Sequence, residues 1–111
     1  MATECFPAMI DGRIKGLFLF GEDPVRTDPD THHVIHALES LDFLVVEELF
    51  MTETAKYADV ILPGRSYAEK EGTFTNTERR VQRVRKAVKG PDGPRLDTEV
   101  FAEIMRRMGY D

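Results

Sequence analysis

Cysteine is nearly missing from this chain: Cys5 is the only one in 111 residues. One thiol cannot close an internal disulfide or build a cysteine metal site. It also cannot hold an iron–sulfur cluster, which takes four thiolates. A lone cysteine fits a reducing compartment. No run of about 18 apolar residues occurs, and no signal-peptide pattern opens the chain. The expectation is therefore a cytoplasmic protein, or a piece of one, with no membrane insertion. Positive charge is the minority sign, with 15 Lys and Arg against 20 Asp and Glu, a net charge of −5. That balance argues against nucleic acid as a partner. The Gly-rich phosphate turn that usually opens a dinucleotide fold is also missing.

What is present is ordinary for a globular chain: 41% apolar and 32% charged residues. The length suits one domain or part of one. The chain is organised around residues 15–28, KGLFLFGEDPVRTD. Leu17, Phe18, Leu19 and Phe20 run straight into Gly21, Glu22, Asp23 and Pro24. Four apolar residues that stop at Gly and Pro predict a buried strand ending in a sharp turn. Gly21 lets the backbone come close to something. Asp23 places a carboxylate at the strand's carboxyl end, the edge where ligands bind in open α/β sheets.

Residues 4–11 predict a helix with Phe6, Met9 and Ile10 on one face and Gly12 as its stop. Pro7 implies a late start or a first-turn position there. A second helix is expected over 29–41, with Asp28 as N-cap, Pro29 as first residue, and Val34, Ile35, Leu38 and Leu41 in helical spacing. Strands are expected at 16–21, 43–47 and 59–62, with a short capped helix at Thr52 to Tyr57. This alternation indicates βαβ units and a small, mainly parallel sheet flanked by helices. After Pro63 the chain turns polar. Arg79, Arg80, Arg83, Arg85, Lys86 and Lys89 cluster there, with Val81, Val84 and Val88 interleaved. Residues 90–95 read as a linker, and 98–108 as an amphipathic helix stopped by Gly109. Strands apolar on both faces need cover on both faces. So few helices barely supply it, and the chain reads as the second half of a larger α/β unit.

The succession GLFLFGEDP, then DFLVVEELFMTETAKYADVILP, then YAEKEGTFTNTERRVQRVRKAV resembles the molybdopterin oxidoreductases. Within that family the pattern is most similar to formate dehydrogenase alpha (catalytic) subunits. The resemblance implies a partial Rossmann-like three-layer unit. Residues 1–63 and 96–111 would be part of the α/β domain that binds molybdopterin guanine dinucleotide. Residues 65–90 would be an excursion toward the cluster-bearing domain. The parent would carry a bis-molybdopterin guanine dinucleotide with molybdenum or tungsten, and a [4Fe–4S] cluster that this segment does not bind. Its partners would be the remaining domains of the subunit and electron-transfer iron–sulfur subunits. The parent would oxidise formate to carbon dioxide. The segment alone would be inactive, since it lacks the family's metal-ligating Cys or selenocysteine with its neighbouring His and Arg. Rival readings are the same segment of a nitrate reductase or of the complex I large iron–sulfur subunit, and a non-catalytic Rossmann-like interaction domain.

The resemblance also implies cofactor-binding residues: Gly21, Asp23 and Thr27 in the loop, Glu47 at the second strand's end, and Pro63 at the third's. No catalytic and no metal-binding residue is implied. A carboxylate can accept both N–H groups on one edge of guanine, a charge-assisted pair. The plain alternative for Asp23 is an Asp-Pro turn residue capping its own loop. Glu47 stands where the family often has Gln, and the alternatives are a ribose or base contact and a solvent-exposed strand end. Thr52 reads as a helix N-cap. His32 and His36 lie one turn apart but lack a third ligand, so they read as a solvated helix face. Cys5 reads as a small core residue. The basic block reads as a surface that packs on acidic surface elsewhere in a parent enzyme.

Overall fold

The computed structural model describes residues 2–110. They divide into two compact units, residues 1–62 and 63–111. The first unit opens with helix α1 (Ala2–Ile10) and strand β1 (Gly16–Phe20). A short helix α2 (Pro24–Thr27) and helix α3 (Thr31–Glu39) lead to strand β2 (Phe43–Glu48). A 3-10 turn at Thr54–Tyr57 precedes strand β3 (Val60–Pro63). The strands form one sheet in the order β1-β2-β3. β1 and β2 are parallel, with Leu17 opposite Leu44 and Leu19 opposite Val46.

Alternation along a strand puts Leu17, Leu19, Leu44 and Val46 on the same face. That face meets Phe6 and Met9 of α1, and Val34, Ala37 and Leu38 of α3, in one apolar core. Fully burying a Val, Leu, Phe or Met side chain of this kind contributes about 1.5–3 kcal/mol. The opposite face carries Phe43 and Phe20, which are 50% and 45% exposed. That second face is open at these two rings but closed at Glu47, so it has only part of the cover a parallel sheet needs.

Two local expectations are corrected. Pro7 sits inside α1, which starts five residues earlier at Ala2. A ring in the first turn would displace no bond, whereas here one amide donor is forgone. Burial of Phe6, Ala8 and Met9 offsets that loss. The helix expected over 29–41 is α3, and its N-cap is Asp30, whose Oδ1 accepts from the His33 amide at 3.1 Å. Asp28 instead accepts from the Asp30 amide at 3.0 Å and shapes the turn before the helix. Gly12, with φ 72°, ends α1 in the left-handed conformation the sequence suggested.

The second unit holds a 3-10 turn at Tyr67–Glu69 and an antiparallel hairpin of β4 (Gly72–Thr75) and β5 (Val81–Val84). It ends with helix α4 (Asp97–Arg107). Gly109, at φ 87°, closes α4, with the Tyr110 amide donating to the Met105 carbonyl at 3.0 Å. Val100 is buried, while Phe101, Met105 and Met108 of the same helix are exposed.

Candidate functional site

The carboxyl ends of β1 and β2 bring together the loop that the sequence singled out. Beyond Phe20, the Gly21 amide donates to the Glu47 carbonyl at 2.9 Å, which extends the parallel ladder by one rung. Gly21 then turns with φ 63°, a region that costs a side-chain-bearing residue. A Cβ built there would meet nothing within 4 Å, so the space beside the turn is open. The glycine is required by conformation rather than by a close protein neighbour.

Asp23 follows, half-buried, just before Pro24 starts α2. Its side chain makes no cap bond to α2. It reaches across to the loop after β2, where Oδ1 accepts from the Thr54 amide at 3.0 Å and from the Thr54 hydroxyl at 2.6 Å. Thr54 is fully buried, and its Oγ1 in turn accepts from the Val25 amide at 3.1 Å. One hydroxyl thus joins two loops 29 residues or more apart in sequence. Oδ2 of Asp23 has no partner among the described residues. The plain turn reading, with Asp23 capping its own loop, does not describe this geometry.

Glu47 is only 1% exposed, which excludes the solvent-exposed strand end. Thr27 is exposed, and its hydroxyl donates to the Asp23 carbonyl at 3.1 Å, so it braces the same loop from the other side. Pro63 ends β3 and is exposed. Thr52 caps as expected: its Oγ1 accepts from the Ala55 amide at 3.1 Å. Leu49, Phe50 and Met51 form an exposed apolar lip after β2, 47%, 77% and 68% exposed. His32 and His36 are exposed on α3, while His33 stands edge-on to Phe6 with ring centres 6.2 Å apart. Among the described residues no three His, Cys, Asp or Glu side chains are grouped to hold a metal ion. Among them, too, no helix is long and apolar enough to cross a membrane.

Sequence reasoning missed Thr54 and the apolar lip. The signal for Thr54 was the repeated threonine of Thr52-Glu53-Thr54, of which one was assigned a cap and the other nothing. Its partner lies 31 residues away, and no periodicity connects them.

A small parallel sheet flanked by helices, with a glycine turn at one strand's carboxyl end and a carboxylate fixed two residues on, defines an α/β segment. The family model for molybdopterin oxidoreductases matches residues 2–107, and the chain belongs to that family. It is 53% identical over 107 residues to the F420-dependent formate dehydrogenase subunit alpha of Methanocaldococcus jannaschii, covering 94% of this chain and 16% of that protein. It is 50% identical over 101 residues to a putative formate dehydrogenase of Staphylococcus haemolyticus, covering 91% of this chain and 10% of that one. Among solved structures, acetylene hydratase from Pelobacter acetylenicus shares the fold, with a TM-score of 0.86 at 24% identity over 96% of this chain and 15% of that chain. The chain therefore spans a sixth or less of the length of these relatives.

Proposed function

We propose that this chain is the segment of a molybdenum or tungsten formate dehydrogenase alpha subunit that holds a guanine dinucleotide arm of the cofactor. The observation that carries the reading is Asp23: a carboxylate two residues after an open glycine turn, locked through Oδ1, with no partner for Oδ2 among the described residues. The donor set fits the group. A guanine edge offers N–H donors, and a carboxylate oxygen accepts them as a charge-assisted bond. With Oδ1 already taking two donors, the contact runs through Oδ2 rather than through both oxygens. Glu47 adds a buried polar group at the end of the neighbouring strand, and Gly21 and Thr27 lie in the same loop as Asp23. When bound, such a cofactor supplies the redox chemistry, while the protein supplies orientation and electrostatics.

The parent converts formate to carbon dioxide, one proton and two electrons, and the electrons pass on to iron–sulfur centres of partner subunits. In that parent, 65–90 would pack toward the cluster-bearing domain, and 96–111 would belong with 1–63 to the α/β domain. The names of the relatives at about 50% identity support formate as the substrate.

In the full-length enzyme, Asp23→Ala removes a charge-assisted bond worth about 1.5–3 kcal/mol. Guanine recovered per folded protein should fall at least tenfold, and metal content with it. Parent-like guanine content would overturn the holding role. The 111-residue chain alone should show no formate-dependent reduction of a viologen acceptor, even with added cofactor. Its one thiol, Cys5, is a half-buried group on α1, seven residues before Gly12. Turnover above a protein-free blank would show that the chain carries catalytic groups of its own.

A further inference from the structure

We infer that Thr54 is a positioning residue of this edge, acting on the ligand through Asp23 and touching no ligand itself. The inference rests on the reading that Asp23 faces the guanine arm.

The hydrogen bonds fix the direction of every proton in the network. The Val25 N–H donates to Thr54 Oγ1 at 3.1 Å, so one lone pair of that oxygen is occupied. The hydroxyl proton must then go to Asp23 Oδ1, 2.6 Å away. The Thr54 N–H goes to the same Oδ1 at 3.0 Å. Two donors on one oxygen make the two carboxylate oxygens inequivalent and stop rotation about the terminal side-chain bond. Thr54 is 0% exposed, so no water competes for these bonds. Val25, also buried, is the second residue of α2, directly behind Pro24. The hydroxyl therefore sets three things together: which oxygen faces outward, the path of the loop after Gly21, and the seat of the 3-10 turn after β2. A free carboxylate would have to be ordered at the moment of binding, which weakens a complex about threefold to tenfold.

The test uses the full-length enzyme that contains this chain, in parent form and as Thr54→Ser, Thr54→Val, Asp23→Ala and the Asp23→Ala/Thr54→Val double variant. Two quantities are read: guanine released as GMP by acid hydrolysis per folded protein, and the melting midpoint of the cofactor-free protein. Valine keeps the shape of threonine but removes the hydroxyl. Serine restores the hydroxyl without the methyl. Thr54→Val should lower retained guanine about threefold to tenfold, Thr54→Ser should stay within about twofold of the parent, and Thr54→Val should add no further loss to Asp23→Ala. That non-additivity is the mark of action through one partner. A plain stability role would lower the melting midpoint and leave the cycle additive. Parent-like guanine in Thr54→Val beside a loss in Asp23→Ala would overturn the positioning role and leave the holding role standing. Parent-like guanine in Asp23→Ala would overturn the holding role, and the inference with it. If the valine variant does not fold, Thr54→Ala, which cannot overpack, is compared with Thr54→Ser in the same way.

Discussion

The two units of this chain are held together by different forces. In residues 1–62, nine buried residues from α1, α2, α3, β2 and the 3-10 turn meet in one apolar cluster. In residues 63–111 the one buried apolar side chain among those described is Val100. That unit is tied by polar contacts instead. Lys70 pairs with Asp97, Arg83 with Glu71 at 2.8 Å, and the Arg65 Nε donates to the Pro94 carbonyl at 2.8 Å. The charges divide the same way, with twelve acidic and four basic residues in 1–62 against eight and eleven in 63–111. A unit with a core can set atoms to within a hydrogen bond, as the Asp23 network does. A unit without one leaves Tyr67, Phe74, Val81 and Met105 exposed.

The sharpest way to break that contrast is at Leu44, which is 1% exposed at the centre of the sheet. Leu44→Ala should destabilise the first unit by about 2–5 kcal/mol, through lost transfer energy and a residual cavity. Amide hydrogen exchange on the 111-residue chain reads this residue by residue. Protection should fall at β1 and β2 and stay unchanged at β4 and β5. An equal fall in the hairpin would show that the two units unfold as one, and the division of forces would then have no energetic meaning.

The first unit was also the more legible in sequence. Periodicity found β1, β2 and β3 to within a residue or two, because strands of Leu, Phe and Val bounded by Gly or Pro have few alternatives. Glycine found the ends of α1 and α4, because only it enters the left-handed region cheaply. Caps were less legible. Asp28 and Asp30 flank Pro29, either can cap, and only the turn's path decides between them. At the site, Gly21 and Asp23 stood out by their place at a strand end. Glu47 was ambiguous because burial at a strand's last residue depends on what packs around it. Thr54 was invisible because its role is a contact across 31 residues of chain. The amphipathic helix expected over 98–108 is α4, but its apolar Phe101 and Met105 are exposed, since periodicity shows which residues share a face and not whether anything covers it.

The second unit offers a smaller test, in which stability should rise. Arg79 sits at the hairpin tip with φ 63°, the only described non-glycine residue with positive φ. The loop around it is closed by Asn76, which accepts from the Arg80 amide at 2.9 Å through its side chain and from the Arg79 amide at 2.9 Å through its carbonyl. A left-handed L-residue costs about 1–2 kcal/mol, and glycine's greater freedom in the unfolded chain returns part of that. Arg79→Gly should therefore stabilise the hairpin by about 1 kcal/mol, seen as slower exchange at β4 and β5 with no change in β1 or β2. Faster exchange would show that the Arg79 side chain makes a contribution larger than its strain.

The smallest effect concerns Glu103 on α4. A hydrogen bond from Arg107, then the charge of Arg106, hold its carboxyl below the usual value of 4.5. The Arg107 contact is 2.8 Å, and Arg106 pairs with the same carboxylate. A carboxyl whose value is lowered by folding stabilises the folded state above its unfolded value, and that stabilisation drains away as pH falls through the lowered value. The arginines lie on the outer surface, so screening keeps the contribution small. Protection of the α4 amides should thus be flat from pH 7 to about 5 and decline below about 4.5, as the pair is lost. Salt at 1 M should shrink the decline. Glu103→Gln should remove that part of it, by lowering the neutral-pH value to the same small extent and meeting the parent in acid. If the glutamine variant declines as steeply as the parent, the surface pairs of Glu103 do not hold α4, and the ion pair of Asp97 with Lys70 at its other end is far less exposed. In that case the polar tie at the helix's start, rather than the pairs along its surface, holds the second unit in place of a core.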